Sequence, residues 1–336
     1  MDKSLVSLKV DWGRIIFIVA ALLMSLHFVD LRFAGNSEFS GASLTALLAG
    51  TAQTPYQYRA LVPWLANGVL AVLPKAAAVA PTAVFKLFDF LAVFLVPVSF
   101  KYYISLFLKD KTQSSVLALS LFYVLPFNFL TKINYHAGLS YLPVWYPCDM
   151  PSILFFTLGL IFIYKRQWRW YYPLFLVATF NRETSCFLTA VYLFTAYGNE
   201  RPRTLILHIS AQIAIWGAIK LFLYRLYAGN PGDGLLLNTV VFNLNILRHP
   251  SVYLPLLSSL GFIWIPVLIY YRRIQDAFLI RALLVVIPFI VGMSCVGALP
   301  ELRIYGELIP IVLAPFLLLL RDFLAERRPG EPVCET

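Results

Sequence analysis

Residues 170–198 read WYYPLFLVATFNRETSCFLTAVYLFTAYG, 29 residues that are apolar at both ends and interrupted by Asn181-Arg182-Glu183-Thr184. A helix crossing the bilayer core needs about 20 apolar residues, with a range of roughly 17–25. The stretch is too long for one comfortable span and short for two. It reads as a bent pair, 170–181 and 184–198, meeting near the far surface of the membrane. Working outward, apolar runs of spanning length fall at 13–30, 84–107, 114–131, 149–164, 204–224, 251–271, 281–299 and 307–325, which brings the expected total to ten membrane segments. The expected fold is an all-α, polytopic transmembrane helix bundle, one transmembrane domain over 1–336.

Composition leads to the same class. Of 336 residues 60% are hydrophobic and 13% charged, with a mean hydropathy of +0.75. A soluble domain is about 45–50% apolar and about 25% charged, so this chain lacks the polar surface to cover a water-soluble globule. Disorder, a disulfide-stapled secreted fold and a cytosolic enzyme are excluded. Cys148, Cys186, Cys295 and Cys334 show no CxxC spacing, and imply neither a metal knuckle nor a disulfide framework. The net charge of +10 reports loop topology, and no nucleic acid partner is expected.

Sidedness follows from the basic residues. With the N-terminus inside, 16 of the 27 Lys and Arg residues fall at cytoplasmic ends, among them Lys109, Lys111, Lys165, Arg166, Arg201, Arg272 and Arg281. Eight fall outside and three (Lys101, Arg182, Lys220) lie within apolar runs. Short loops rich in Lys and Arg stay inside, so the chain reads N-in and C-in, with 326–336 as a cytoplasmic tail. Segment 13–30 has a positive flank but no small-residue cleavage site, and reads as an anchor helix. The loop 30–82 is far longer than a connector requires, and within it 60–74 (ALVPWLANGVLAVLP) suits a helix lying in the interface. The cytoplasmic loops are brief, which places function on the extracytoplasmic side. Short loops and the lack of a long tail suggest a bacterial inner membrane.

Ionisable groups at membrane depth are costly, by about 2.5–3.5 kcal/mol on insertion scales, and mark candidate sites. Five groups qualify, all on the outer side of this topology. Asp30 closes the first apolar run, as a general base, a cation ligand or a polar helix stop. Tyr56, Tyr58 and Arg59 precede the interfacial helix; the planar Arg fork suits phosphate, while a snorkelling Arg in an aromatic belt is the plainer alternative. Asp149 opens a span, where an N-cap is the simplest role, and His136 lies upstream in the same outer loop. Asn181, Arg182 and Glu183 break the longest apolar stretch; adjacent residues on a helix do not face each other, so Arg182 and Glu183 each seek another partner. Glu301, Arg303, Tyr305 and Glu307 crowd a turn of about seven residues. Lys86 and Asp89, three apart, are expected to pair along one helix face as a structural element.

A first helix ending in Asp, followed by a long outer loop with TPYQYRALVPWLANGVLAVLP at 54–74, resembles the GT-C superfamily of integral-membrane glycosyltransferases. The stretch is similar to the SPY…YR(Y)tPLLa…LP segment of polyprenol-dependent mannosyltransferases, and the charged break at 181–184 sits where many such proteins carry one. The likeness covers about residues 13–75, and beyond that only the arrangement of spans. It implies a polyprenyl-phosphate sugar as donor and a glycan, lipid or protein as acceptor, among membrane lipids. It implies Asp30 as the base that deprotonates the acceptor hydroxyl, with inversion at the anomeric carbon. Arg59, Arg182 and Arg303 are the candidates for the donor phosphate. A paired Asp-x-Asp would hold a metal, but this chain reads Asp30-Leu31-Arg32; Glu38 could substitute from farther along the loop though no spacing requires it, and a divalent cation stays an open alternative. Two other classes compete: a polysaccharide polymerase or ligase, or its accessory subunit, and a carrier or flippase for a lipid-linked substrate.

Overall fold

The computed structural model describes residues 11–73, 80–136, 139–141, 143–232 and 235–326. Lys75, the tail beyond Glu326 and the side chain of His136 lie outside what is described. Among the described residues the chain is helical apart from one antiparallel hairpin, β1 (Ile133–His136) with β2 (Leu139–Tyr141).

The first part of the chain holds α1 (Trp12–Gly35), α2 (Leu44–Ala49), α3 (Leu61–Val72), α4 (Pro81–Ile104), α5 (Lys111–Ala118) and α6 (Leu121–Phe129). After the hairpin come α7 (Asp149–Tyr164), α8 (Trp168–Asn181), α9 (Cys186–Ala196) and α10 (Pro202–Leu226). The last part holds α11 (Leu235–Ile246), α12 (Tyr253–Leu257), α13 (Trp264–Ile269), α14 (Ala277–Leu283), α15 (Val286–Val296) and α16 (Ile309–Glu326). Five stretches are long and apolar enough to cross a membrane: Trp12–Gly35, Pro81–Ile104, Pro202–Leu226, Ala277–Val296 and Leu302–Glu326. Their outward faces carry large apolar side chains such as Ile16, Leu23, Leu207, Phe222 and Ile287, all exposed. Patches of this extent belong against lipid and not water.

The central element is the stretch 302–319, buried almost all round from Leu302 through Leu319, as expected for a helix enclosed by others. It packs against α6, α7, α13 and α14, while α4, α7 and α1 form a second packed group beside it. α3 buries Val62, Pro63 and Ala66 and leaves Trp64, Leu65, Val69 and Val72 exposed.

The break read in 170–198 is present. α8 stops at Asn181, Arg182 is extended (φ −159°, ψ 144°), a single 3₁₀ turn covers Glu183–Ser185, and α9 begins at Cys186. Asn181 holds the stop by donating from Nδ2 to the Cys148 carbonyl and to Ser152 Oγ, each at 2.9 Å.

Two expected spans need correction. The run 114–131 is divided between α5 and α6, and between the spans expected at 204–224 and 251–271 lies a further helix, α11, packed along α15. The run 251–271 is kinked: Leu260, Gly261 and Phe262 all have positive φ (59°, 62° and 61°), a region costly for non-glycine residues. The cause is Asn128 on α6, whose Oδ1 accepts from Leu260 N at 2.9 Å while its Nδ2 donates to the Leu302 carbonyl at 2.9 Å. Hydropathy cannot register one buried amide that ties two distant turns. Asn128→Ala orphans both backbone groups, each at about 1–3 kcal/mol. A loss of roughly 2–6 kcal/mol in detergent unfolding is expected; an unchanged midpoint would remove Asn128 as the cause of the kink.

Candidate functional site

The outer ends expected from the sequence converge on a buried ion network. Arg32 Nη1 donates to both Asp89 oxygens at 2.5 and 2.6 Å, and Arg32 Nη2 lies 3.3 Å from Asp149 Oδ2. Arg303 Nη1 donates to Asp149 Oδ1 at 3.1 Å, and Arg182 Nη1 lies 3.7 Å from the same oxygen. Arg182 also reaches Glu307 Oε1 at 3.0 Å, and that oxygen accepts from Thr184 Oγ1 at 2.6 Å. Arg303 pairs in addition with Glu301. Asp149 is therefore no N-cap, a position held by Cys148 without a side-chain cap bond; its carboxylate sits among three guanidinium groups.

Arg59 extends the network towards an open space. Its Nη2 donates to Glu183 Oε1 at 2.7 Å, and Lys220 Nζ stands 4.0 Å from Glu183 Oε2. Arg182 and Glu183 thus point opposite ways, one to the interior and one to Arg59 and Lys220, as their adjacency requires. Burial opposes the charge on Arg59, but Glu183 outweighs it and holds the guanidinium above its ordinary pKa. Burial likewise opposes ionisation of Glu183, and Arg59 and Lys220 overcome it, lowering the carboxyl below its usual range. The two arginines are joined by rings: Arg59 lies over Tyr56 (5.3 Å), Tyr56 stacks on Tyr146 (4.8 Å, 4°), and Arg303 lies over Tyr146 (4.0 Å). Such contacts are worth about 0.5–2 kcal/mol each and fix the orientation of both forks.

The space is a cavity of about 1020 Å³. Its lining includes Tyr56, Tyr58, Arg59, Glu183, Lys220, Glu301 and Arg303. It also includes Phe187, Trp216, Phe242, Met293, Val296 and Ile304, contributed by α9, α10, α11, α15 and the turn before α16. The loop carrying Tyr56 and Arg59 is held over the end of α10 by Thr54 N to the Pro231 carbonyl (3.0 Å) and by Asn230 Nδ2 to the Gly50 and Ala52 carbonyls (2.7 and 3.0 Å). A lining that combines cations with hydrocarbon is the surface an amphiphile with an anionic head requires.

The remaining expected residues divide as follows. Asn181, Arg182, Asp149 and Glu307 are buried behind the cavity and brace its wall, and Tyr305 is buried in the turn that carries Arg303. Glu38 accepts from Leu44 N at 3.2 Å, a local bond at the start of α2.

Asp30 is not among the residues around the cavity. Its side chain is 75% exposed and takes Lys86 Nζ at 2.8 Å. Residues two apart on a helix point roughly 200° apart, so burying Arg32 against Asp89 and Asp149 turns Asp30 outward. The expected Lys86–Asp89 pair is corrected by the same geometry: Lys86 meets Asp30 and Asp89 meets Arg32.

Sequence reasoning missed Arg32, which it read as the residue standing where a paired Asp-x-Asp would have its second carboxylate, and it gave Lys220 no role, although an ammonium inside an apolar run was the available signal. Among the described residues no three His, Cys, Asp or Glu side chains converge where a metal ion could sit. No protein-family model, curated protein or solved structure matches the chain.

Proposed function

We propose that this chain is a GT-C-like integral-membrane glycosyltransferase, a bundle of about ten membrane segments, N-in and C-in, with α3 in the interface. It moves a sugar from a polyprenyl-phosphate donor to an acceptor hydroxyl on the outer face of a bacterial inner membrane. The supporting observation is a cavity lined both by Arg59, Lys220 and Arg303 and by apolar side chains such as Phe187, Phe242 and Met293. The prenyl chain lies against the apolar side chains and the phosphate meets the cations, which stabilise negative charge as it leaves.

The acceptor oxygen attacks the anomeric carbon from the face opposite the phosphate. The new C–O bond forms as the bond to the phosphate oxygen breaks, polyprenyl phosphate leaves with the electron pair, and a carboxylate takes the hydroxyl proton. We assign that carboxylate to Glu301. Glu183 and Glu301 are the two carboxylates among the described residues that line the cavity, and Glu183 faces two cations that suppress its basicity.

The test is sugar transfer by purified protein in nanodiscs, from a panel of polyprenyl-phosphate sugars, beside Arg59→Gln. Transfer or donor hydrolysis is expected from the native chain. Loss of one charge-assisted contact, worth about 1.5–3 kcal/mol, lowers it about 10- to 100-fold in Arg59→Gln. An inert native chain with every donor would sink the proposal.

A further inference from the structure

The site is balanced in number: Arg32, Arg59, Arg182, Lys220 and Arg303 face Asp89, Asp149, Glu183, Glu301 and Glu307. An anion entering such a group gains little unless a carboxylate gives up its cations to it. Asp89, Asp149 and Glu307 have no exposed side-chain surface, and of the two carboxylates on the cavity lining Glu183 is 29% exposed against 11% for Glu301. Its two partners have donors to spare. Among the described residues neither Arg59 Nη1 nor Lys220 Nζ has a hydrogen-bond acceptor, and both atoms are buried. A buried ammonium without an acceptor is costly, and Lys220 sits on α10, where neighbours such as Leu221 and Phe222 face outward as apolar side chains.

We propose that Arg59 and Lys220 form a single phosphate-binding pair, that Glu183 is its built-in anion, and that the phosphate of a polyprenyl lipid competes with Glu183 for it. A phosphate oxygen between Arg59 and Lys220 supplies the acceptors that one carboxylate cannot. Glu183, 124 residues from Arg59 in sequence, then acts as a placeholder that keeps the two cations together and sets the affinity. The apolar part of the lining, with Phe187, Phe242 and Met293, favours a lipid phosphate over a soluble one. The inference rests on the transferase proposal only for the identity of the ligand.

The experiment measures equilibrium binding of undecaprenyl phosphate and of inorganic phosphate to the full chain in nanodiscs, for the native protein, Glu183→Gln, Lys220→Met and the double variant. Folded yield is followed by size-exclusion chromatography. Removing the competitor is expected to tighten undecaprenyl phosphate binding about tenfold, and removing the ammonium to weaken it about tenfold, the scale of one charge-assisted contact. The gain from Glu183→Gln should shrink in the double variant. Unchanged or weaker binding in a folded Glu183→Gln protein overturns the competition while leaving the transferase proposal standing. Undecaprenyl phosphate that binds neither form overturns the transferase proposal itself. Equal tightening for inorganic phosphate overturns the lipid as ligand and assigns the pair to a soluble phosphate.

Discussion

Asp149→Ala is expected to abolish recovery of folded protein, or to lower its unfolding midpoint by roughly 6 °C or more where some survives. Asp149 has no exposed side-chain surface and stands between Arg32, Arg303 and Arg182 at 3.3, 3.1 and 3.7 Å. Breaking a buried pair by removing one partner costs about 3–5 kcal/mol, because the surviving charge stays out of water without compensation. Here one deletion strips a carboxylate from three guanidinium groups. Arg32 keeps Asp89 and Arg182 keeps Glu307, while Arg303 retains Glu301 at the cavity edge. The cost therefore falls on the ties that Asp149 makes from α7 to Arg32 on α1, to Arg182 after α8 and to Arg303 in the turn before α16. Asp149→Asn keeps the volume and one acceptor, and should land between the native chain and the alanine variant. Fluorescence-detected gel filtration and thermal unfolding in detergent decide it. An alanine variant eluting and melting like the native chain would mean that Asp149 is not the hub of the network.

The features legible in the sequence were those carried by neighbours in the chain. Charge interrupting an apolar stretch marked the turn at Arg182–Ser185, and the adjacency of Arg182 and Glu183 indicated that they would seek separate partners. The crowding of Glu301–Glu307 marked a turn with a purpose beyond connection. Apart from Arg303 with its near neighbour Glu301, partner identity was not legible, because the pairings are long-range: Arg32 with Asp89 across 57 residues, Arg32 with Asp149 across 117, Arg303 with Asp149 across 154. Local spacing pointed to Lys86 with Asp89, but helix phase is set by the neighbouring helix and not by the residue three positions on. The same blindness gave Asp30 the central place when its neighbour Arg32 was the residue turned inward. The kink at Leu260–Phe262 has no hydropathy signature, since its cause is an amide on α6. The apolar wall of the cavity is equally silent, because Phe187, Phe242 and Met293 look in sequence like any lipid-facing residues.

Glu301→Gln should reduce sugar transfer about 10²- to 10⁴-fold, the range a general base contributes, with donor binding little changed, while Asp30→Asn transfers like the native chain. The amide is isosteric with the carboxylate and can still accept from Arg303, so the wall of the cavity is preserved and only the capacity to take a proton is lost. Asp30 offers the opposite case. Its carboxylate is three-quarters exposed, bound to Lys86 and turned away from Arg59 by the burial of Arg32, so its loss removes a surface contact and nothing that faces the cavity. Turnover is the quantity to compare, measured at saturating donor with equal amounts of folded protein and with donor affinity determined separately. If Asp30→Asn were inactive and Glu301→Gln active, the base would return to the end of α1, and catalysis would require Asp30 to exchange its Lys86 contact for the acceptor. If both variants transferred normally, the proton would have to leave through Glu183. That result would make the Arg59–Lys220–Glu183 cluster the reacting centre, with phosphate binding there the step that frees its base.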